Sequence, residues 1–180
     1  KPPYNILFIC THNRCRSILS EAITRQNAQG IINAMSAGSQ PSGAVHPLSL
    51  KYLSEMGYDT ADLTSKSWES LKDENGDDFI PDVVITVCDQ AAGESCPLWL
   101  GNIPKLHWGL SDPSKLDGSD EQKRQAFLAT IQEINQRVEQ LIDIAKRPKA
   151  EQLDALQQLV KAWIMTSMQK HTDINLETLT

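Results

Sequence analysis

No run of apolar residues in the 180-residue sequence approaches the ~18 consecutive positions that a membrane-spanning helix needs. The opening residues KPPYNILFIC also lack the charged and then long apolar pattern of a secretory signal. These absences predict a soluble, cytoplasmic protein with no membrane partner. Positive charge is in deficit, with 17 Lys and Arg against 23 Asp and Glu and a formal net charge of -6. That balance argues against nucleic acid as a partner, so any anion must be captured by local structure. Cysteine is sparse as well: Cys10, Cys15, Cys88 and Cys96 are far too few for the disulfide framework of a small secreted domain. In a cytosolic setting they are expected to be reduced and available for chemistry. Only Cys10 and Cys15 fall at C-x2-4-C spacing, without the second such pair of a four-cysteine zinc site, so neither a metal nor a cofactor is expected.

What is present is a regular alternation of elements. Hydrophobic residues make up 40% of the chain, enough for a substantial core. Residues 4–9 form a short apolar run rich in β-formers, followed by a polar loop and then by Ile18, Leu19, Ala22 and Ile23 at helical spacing. A second β-like run at 31–35 leads into Ser36-Ala37-Gly38, and His46-Pro47 opens a helix carrying Leu48, Leu50, Leu53 and Met56. The polar stretch 65–78 predicts one short helix, and residues 83–87, VVITV, read as a buried parallel strand. Residues 105–108 offer one more short strand. Phe127, Ile131, Ile134, Val138, Leu141 and Ala145 then recur at steps of three and four, the mark of an amphipathic helix.

This order predicts an α/β fold, a three-layer sandwich around a central, mainly parallel four-stranded sheet, with its ligand site at the carboxyl ends of the strands. Cys10 and Cys88 both fall near such ends. Arg147-Pro148 divides the chain into a catalytic domain, 1–147, and a helical extension, 148–180. The extension carries Leu153, Leu156, Leu159, Val160, Trp163 and Ile164 and packs either on the same domain or on a partner.

The eight residues Cys10, Thr11, His12, Asn13, Arg14, Cys15, Arg16 and Ser17 read C-x5-R-S between a strand and a helix. A loop wrapped around a helix N-terminus aims several backbone N–H groups at one point, where a tetrahedral oxyanion is held. Arg16 adds a guanidinium fork that matches two of its oxygens. The same field favours a thiolate at Cys10, so this residue is the expected nucleophile. Ser17 can donate to that thiolate, and Asn13 tolerates the left-handed backbone that tight loops need.

With Glu21, Ser36-Ala37-Gly38 and a downstream Asp112-Pro113, this loop resembles that of the low-molecular-weight protein tyrosine phosphatase superfamily. The resemblance spans roughly residues 4–146 and implies that Asp112 is the general acid for the leaving oxygen. Within the superfamily, VITVCD at 84–89 followed by Cys96-Pro97 is similar to the thioredoxin-coupled arsenate reductases. That similarity implies a relay: Cys10 attacks arsenate, Cys88 resolves the adduct and releases arsenite, and Cys96 takes over the disulfide. Phosphate or sulfate should occupy the same loop. Thioredoxin is the expected electron donor, with glutaredoxin and glutathione as the alternative. Two other functions stay open, a phosphotyrosine phosphatase and a non-catalytic anion-binding or redox module. Against the phosphatase, Ser114 and Lys115 stand where such enzymes carry tyrosine.

Some relatives hold potassium beside the loop through residues that Asn13, Glu21 and Ser36 match. Lys66 stands where they have a carboxylate, and an ammonium in the cation's place implies no required potassium. His12 replaces a customary glycine and is read as solvent-facing. Cys15 reads as a packed thiol, with a protective disulfide to Cys10 as the alternative.

Overall fold

The computed structural model describes residues 3–88 and 101–179, without the side chains of Ser70 and residues 167–179. Cys96 and Trp99 lie outside the described residues. The chain runs β1 (Tyr4–Cys10), α1 (Arg16–Asn27), β2 (Ile32–Gly38), α2 (Pro47–Glu55), β3 (Val83–Thr86), β4 (Lys105–His107), α3 (Asp120–Ala145) and α4 (Lys149–Leu179). Single 3-10 turns occur at Trp68–Ser70 and Pro113–Lys115.

The four strands lie in the order β2-β1-β3-β4, and every pairing is parallel. Parallel strands covered on both faces need apolar residues at every position rather than at alternate ones, which is why Ile6 to Ile9 form an uninterrupted, fully buried run. One face of the sheet, through Ile6, Phe8, Val83 and Ile85, packs on Ile18 and Ile23 of α1 and on Phe127, Ile131, Ile134 and Val138 of α3. The other face, through Leu7, Ile9 and Val84, is covered by Leu71, Phe79 and Trp68 from the segment between α2 and β3. The outer layers are therefore a helical one and a loop one.

α3 begins with a capping box in which the Ser119 hydroxyl accepts from the Gln122 N–H and the Gln122 side chain accepts from the Ser119 N–H. Each large apolar side chain that α3 buries contributes about 1.5–3 kcal/mol. α4 follows after a short turn, lays Leu156 with Leu159 and Trp163 onto the same core, and buries Val160 as well.

β2 outlasts its apolar run. It continues through Ser36 to Gly38 because its parallel register with β1 runs on to the pair Cys10 and Gly38. This register brings the carboxyl ends of β1 and β2 to the same level, where the loop after β1 begins.

Candidate functional site

The loop from Cys10 to Ser17 connects the end of β1 to the first turn of α1. Cys15 occupies the N-cap of α1 without making a side-chain cap bond, so the first-turn N–H groups are left for another acceptor. Asn13 has φ 49°, the left-handed backbone that lets the loop curl around that helix end. Loop carbonyls face outward and are tied to the flanking chain: Thr11 O accepts from Gln40 N at 2.9 Å, His12 O from Ser42 N at 3.0 Å, and Arg14 O from His46 N at 3.0 Å. With its carbonyls bound on the outside, the loop is free to present N–H groups to its interior.

Cys10 is 5% exposed, and its Sγ lies 2.9 Å from Ser17 Oγ. Ser17 Oγ also accepts from Asn13 Nδ2 at 2.8 Å, so its own proton is available for the sulfur. Asn13 Nδ2 donates further to Ser36 Oγ at 2.9 Å, and Ser36 Oγ donates to Glu21 Oε1 at 2.7 Å. Glu21 is 1% exposed, and its charge is met by Lys66 Nζ at 3.2 Å and Arg25 Nη2 at 2.8 Å. Lys66 Nζ also reaches Ser36 Oγ at 3.4 Å and the Thr64 carbonyl at 3.1 Å. The lysine ammonium is thus held by a carboxylate, a hydroxyl and a carbonyl beneath the loop. Lys66 N completes the frame by donating to Asn13 Oδ1 at 2.9 Å.

Arg16 is buried. Its Nη1 donates to the Leu110 carbonyl at 2.9 Å, and its Nη2 stands 3.6 Å from Asp112 Oδ2. Asp112 is aimed in turn by Ser114, whose N–H and hydroxyl both donate to Oδ1, at 2.9 and 2.6 Å. The structure therefore brings Arg16 and Asp112 together on one side of the loop. Cys15 is packed away, and its thiol is pushed up to about 12 by burial and by the Asp112 charge, against a hydrogen bond from Ser49. His12 and Arg14 are exposed, and His12 Nδ1 meets the Gln40 carbonyl at 3.1 Å.

Cys88 is 2% exposed and lies two residues beyond the end of β3. Val87 N donates to Ile9 O at 3.0 Å, which carries the β1–β3 register past the end of the strand and leaves Cys88 and Cys10 at neighbouring strand ends. Cys10 and Cys15 are free thiols. Among the described residues no group of three or more His, Cys, Asp or Glu is arranged to hold a metal ion.

Three features of this site have a role that the sequence does not give. Gly38 is one, since an added Cβ would stand 2.6 Å from the Thr11 carbonyl oxygen. The Leu110 carbonyl that holds Arg16 is another, and a backbone acceptor leaves no residue-type signal. The third is His46, which caps α2 by accepting from Leu48 N at 3.1 Å through Nδ1. Only the position of His46, just before Pro47, could have suggested it.

Comparison with known proteins agrees with this geometry. The family described as low molecular weight phosphotyrosine protein phosphatase matches residues 5–174. An arsenate reductase from Halalkalibacterium halodurans is 32% identical over 141 residues, 78% of this chain and 96% of that protein. One from Bacillus subtilis is 31% identical over the same shares. Among solved structures, an arsenate reductase from Archaeoglobus fulgidus superposes with a TM-score of 0.60 at 25% identity, over 77% of this chain and 98% of that one. A thioredoxin-dependent arsenate reductase from Corynebacterium glutamicum gives 0.55 at 32% identity, over 81% of this chain and 63% of that one. By the extent of that family match and by these relatives, the chain belongs to the low molecular weight phosphotyrosine protein phosphatase family.

Proposed function

We propose that this protein reduces arsenate to arsenite. The Cys10 thiolate attacks arsenic bound in the loop, forming a sulfur–arsenic bond as one oxygen leaves with a proton supplied by Asp112. Thr11 to Ser17 cradle the remaining oxygens, and Arg16 balances their charge. Cys88 then attacks the Cys10 sulfur. The electron pair of the sulfur–arsenic bond passes to arsenic, so arsenic(V) leaves as arsenite while a Cys10–Cys88 disulfide forms. Cys96 attacks Cys88, freeing Cys10, and the resulting Cys88–Cys96 disulfide is reduced by an external dithiol, for which thioredoxin is the proposed source.

The observation that carries this reading is the placement of Cys10 and Cys88, two buried cysteines at adjacent parallel strand ends. A phosphatase has no use for the second. The test couples arsenate addition to NADPH consumption through thioredoxin and its reductase, beside hydrolysis of an aryl phosphate. Cys88→Ser is expected to abolish reductase turnover while sparing ester cleavage, which needs only the loop and Asp112. Undiminished arsenate reduction by that variant would exclude the relay. Rapid ester hydrolysis without arsenate reduction in the unaltered protein would instead favour the phosphatase reading.

A further inference from the structure

The segment Trp108 to Leu110 is gripped from two sides. From the active site, Arg16 Nη1 donates to the Leu110 carbonyl at 2.9 Å. From behind, Arg137 of α3 donates through Nη1 to the Trp108 carbonyl and, at 3.4 Å, to the Gly109 carbonyl. Arg137 is 7% exposed, and burial of its charge is costly; Glu133 offsets that cost with an ion pair at 2.7 Å. Its guanidinium is also flanked by two rings, 5.4 Å from the centre of Trp108 and 5.0 Å from that of Trp163. Trp163 belongs to α4. It meets Trp108 edge-on at 5.2 Å and is anchored by its Nε1 donating to Gln140 Oε1 at 2.8 Å. Trp108 stacks in turn on Phe8 of β1, two residues before Cys10.

We propose that Trp163 and Arg137 are positioning residues for the anion loop: α4 holds Arg137 against Trp108, and so sets the Leu110 carbonyl that fixes Arg16. Arg16 has many rotamers to lose, and its fork matches two oxygens of a tetrahedral anion only if the guanidinium is fixed in advance. An arginine held by a carbonyl is no better placed than that carbonyl. The two adjacent carbonyls are held by Arg137, and Arg137 keeps its place between the ring of Trp108, just past β4, and the ring of Trp163 on α4. The extension therefore acts on the site without touching it. The proposal rests on reading the loop as an oxyanion site.

The experiment measures alkylation of Cys10 by iodoacetamide, followed by peptide mass spectrometry, against increasing inorganic phosphate. In the unaltered protein phosphate protects Cys10. Trp163→Ala and Arg137→Gln should each raise the phosphate concentration for half-protection by roughly fivefold or more, the usual lower range of coupling between sites. Trp163→Phe, which keeps a ring on the guanidinium, should restore most of the protection. Ile32→Ala, at the far end of β2, should lower the unfolding midpoint and leave protection unchanged. By reciprocity, phosphate should slow amide exchange across residues 156–164 of the unaltered protein, a readout that survives if a variant does not fold. Full protection in Trp163→Ala and Arg137→Gln, equal weakening by Ile32→Ala, or exchange in α4 indifferent to phosphate would each overturn the proposal. Absence of phosphate protection in the unaltered protein would overturn the oxyanion reading, and the proposal with it.

Discussion

At Gly38 the backbone of β2 passes so close to the anion loop that one added carbon would meet the Thr11 carbonyl oxygen at 2.6 Å and Asn13 N at 3.1 Å. Both contacts are with parts of the loop that cannot swing aside as a flexible side chain would. The loop is also tied down nearby, since Gln40 N holds Thr11 O and Lys66 N holds Asn13 Oδ1. Gly38→Ala must therefore displace the loop itself, at a cost of about 1–3 kcal/mol typical of overpacking a rigid site. The expected result is a lower denaturant midpoint together with weaker phosphate protection of Cys10. A variant with unaltered protection would show that the loop accommodates the methyl group without losing its shape. The glycine was visible in Ser36-Ala37-Gly38, but its reason was not, because close approach is a property of two strands in register. Lys66 differs: the resemblance already sets its ammonium beside Glu21 and Ser36, as the fold has it, and only the Thr64 carbonyl, a backbone acceptor, needed the fold.

Among the elements, those that the periodicity marked most strongly are the ones buried on a whole face: β1 and β3 as continuous apolar runs, and α3 by its steps of three and four. β2 was read too short, because Ser36 and Gly38 are not strand formers, and only pairing with β1 extends it. α2 depends on a cap that no helix propensity encodes. His46 Nδ1 accepts from Leu48 N, which requires the neutral ring, and His46 N binds the Arg14 carbonyl of the anion loop. Burial, and then the nearby Arg14 charge, lower the His46 pKa, with Asp112 opposing. A histidine whose folded pKa is depressed binds its proton more readily when unfolded. Its contribution to stability is thus present above the unfolded pKa of ~6.5 and is lost as pH falls below that value. His46→Asn keeps an N-cap acceptor and cannot titrate. The unfolding midpoint of the unaltered protein should fall relative to this variant as pH is lowered below ~6.5, and the two should run parallel above it. Parallel curves throughout the acid range would show that the cap does not depend on the neutral ring.

For the whole molecule, the question is whether α4 shares the cooperative unit of the sheet. Arg147-Pro148 looked like a boundary in the sequence, and a hydrophobic pattern alone does not say which surface a helix covers. In the fold α4 places Leu156 at 1% exposure and Val160 at 6%, and the Gln152 amide donates to the Ala145 and Arg147 carbonyls at the end of α3. The last turn of α3 is thereby capped from α4 as well as from its own chain end, where Lys146 N and Arg147 N donate to the Ile142 and Ile144 carbonyls. Two buried aliphatic side chains at about 1.5–3 kcal/mol each give a contribution on the order of 3–6 kcal/mol, before the ring cluster of Trp163 is counted. Against a total stability of ~5–15 kcal/mol that share is too large for an independent appendage. Ending the chain at residue 147 should therefore lower the urea midpoint steeply, and reduce the slope as well, because less surface is exposed on unfolding. In the full chain, far-ultraviolet circular dichroism and tryptophan fluorescence should trace a single coincident transition. Two separated transitions, the first confined to helix loss, would show α4 leaving on its own and would make residue 147 a true domain boundary.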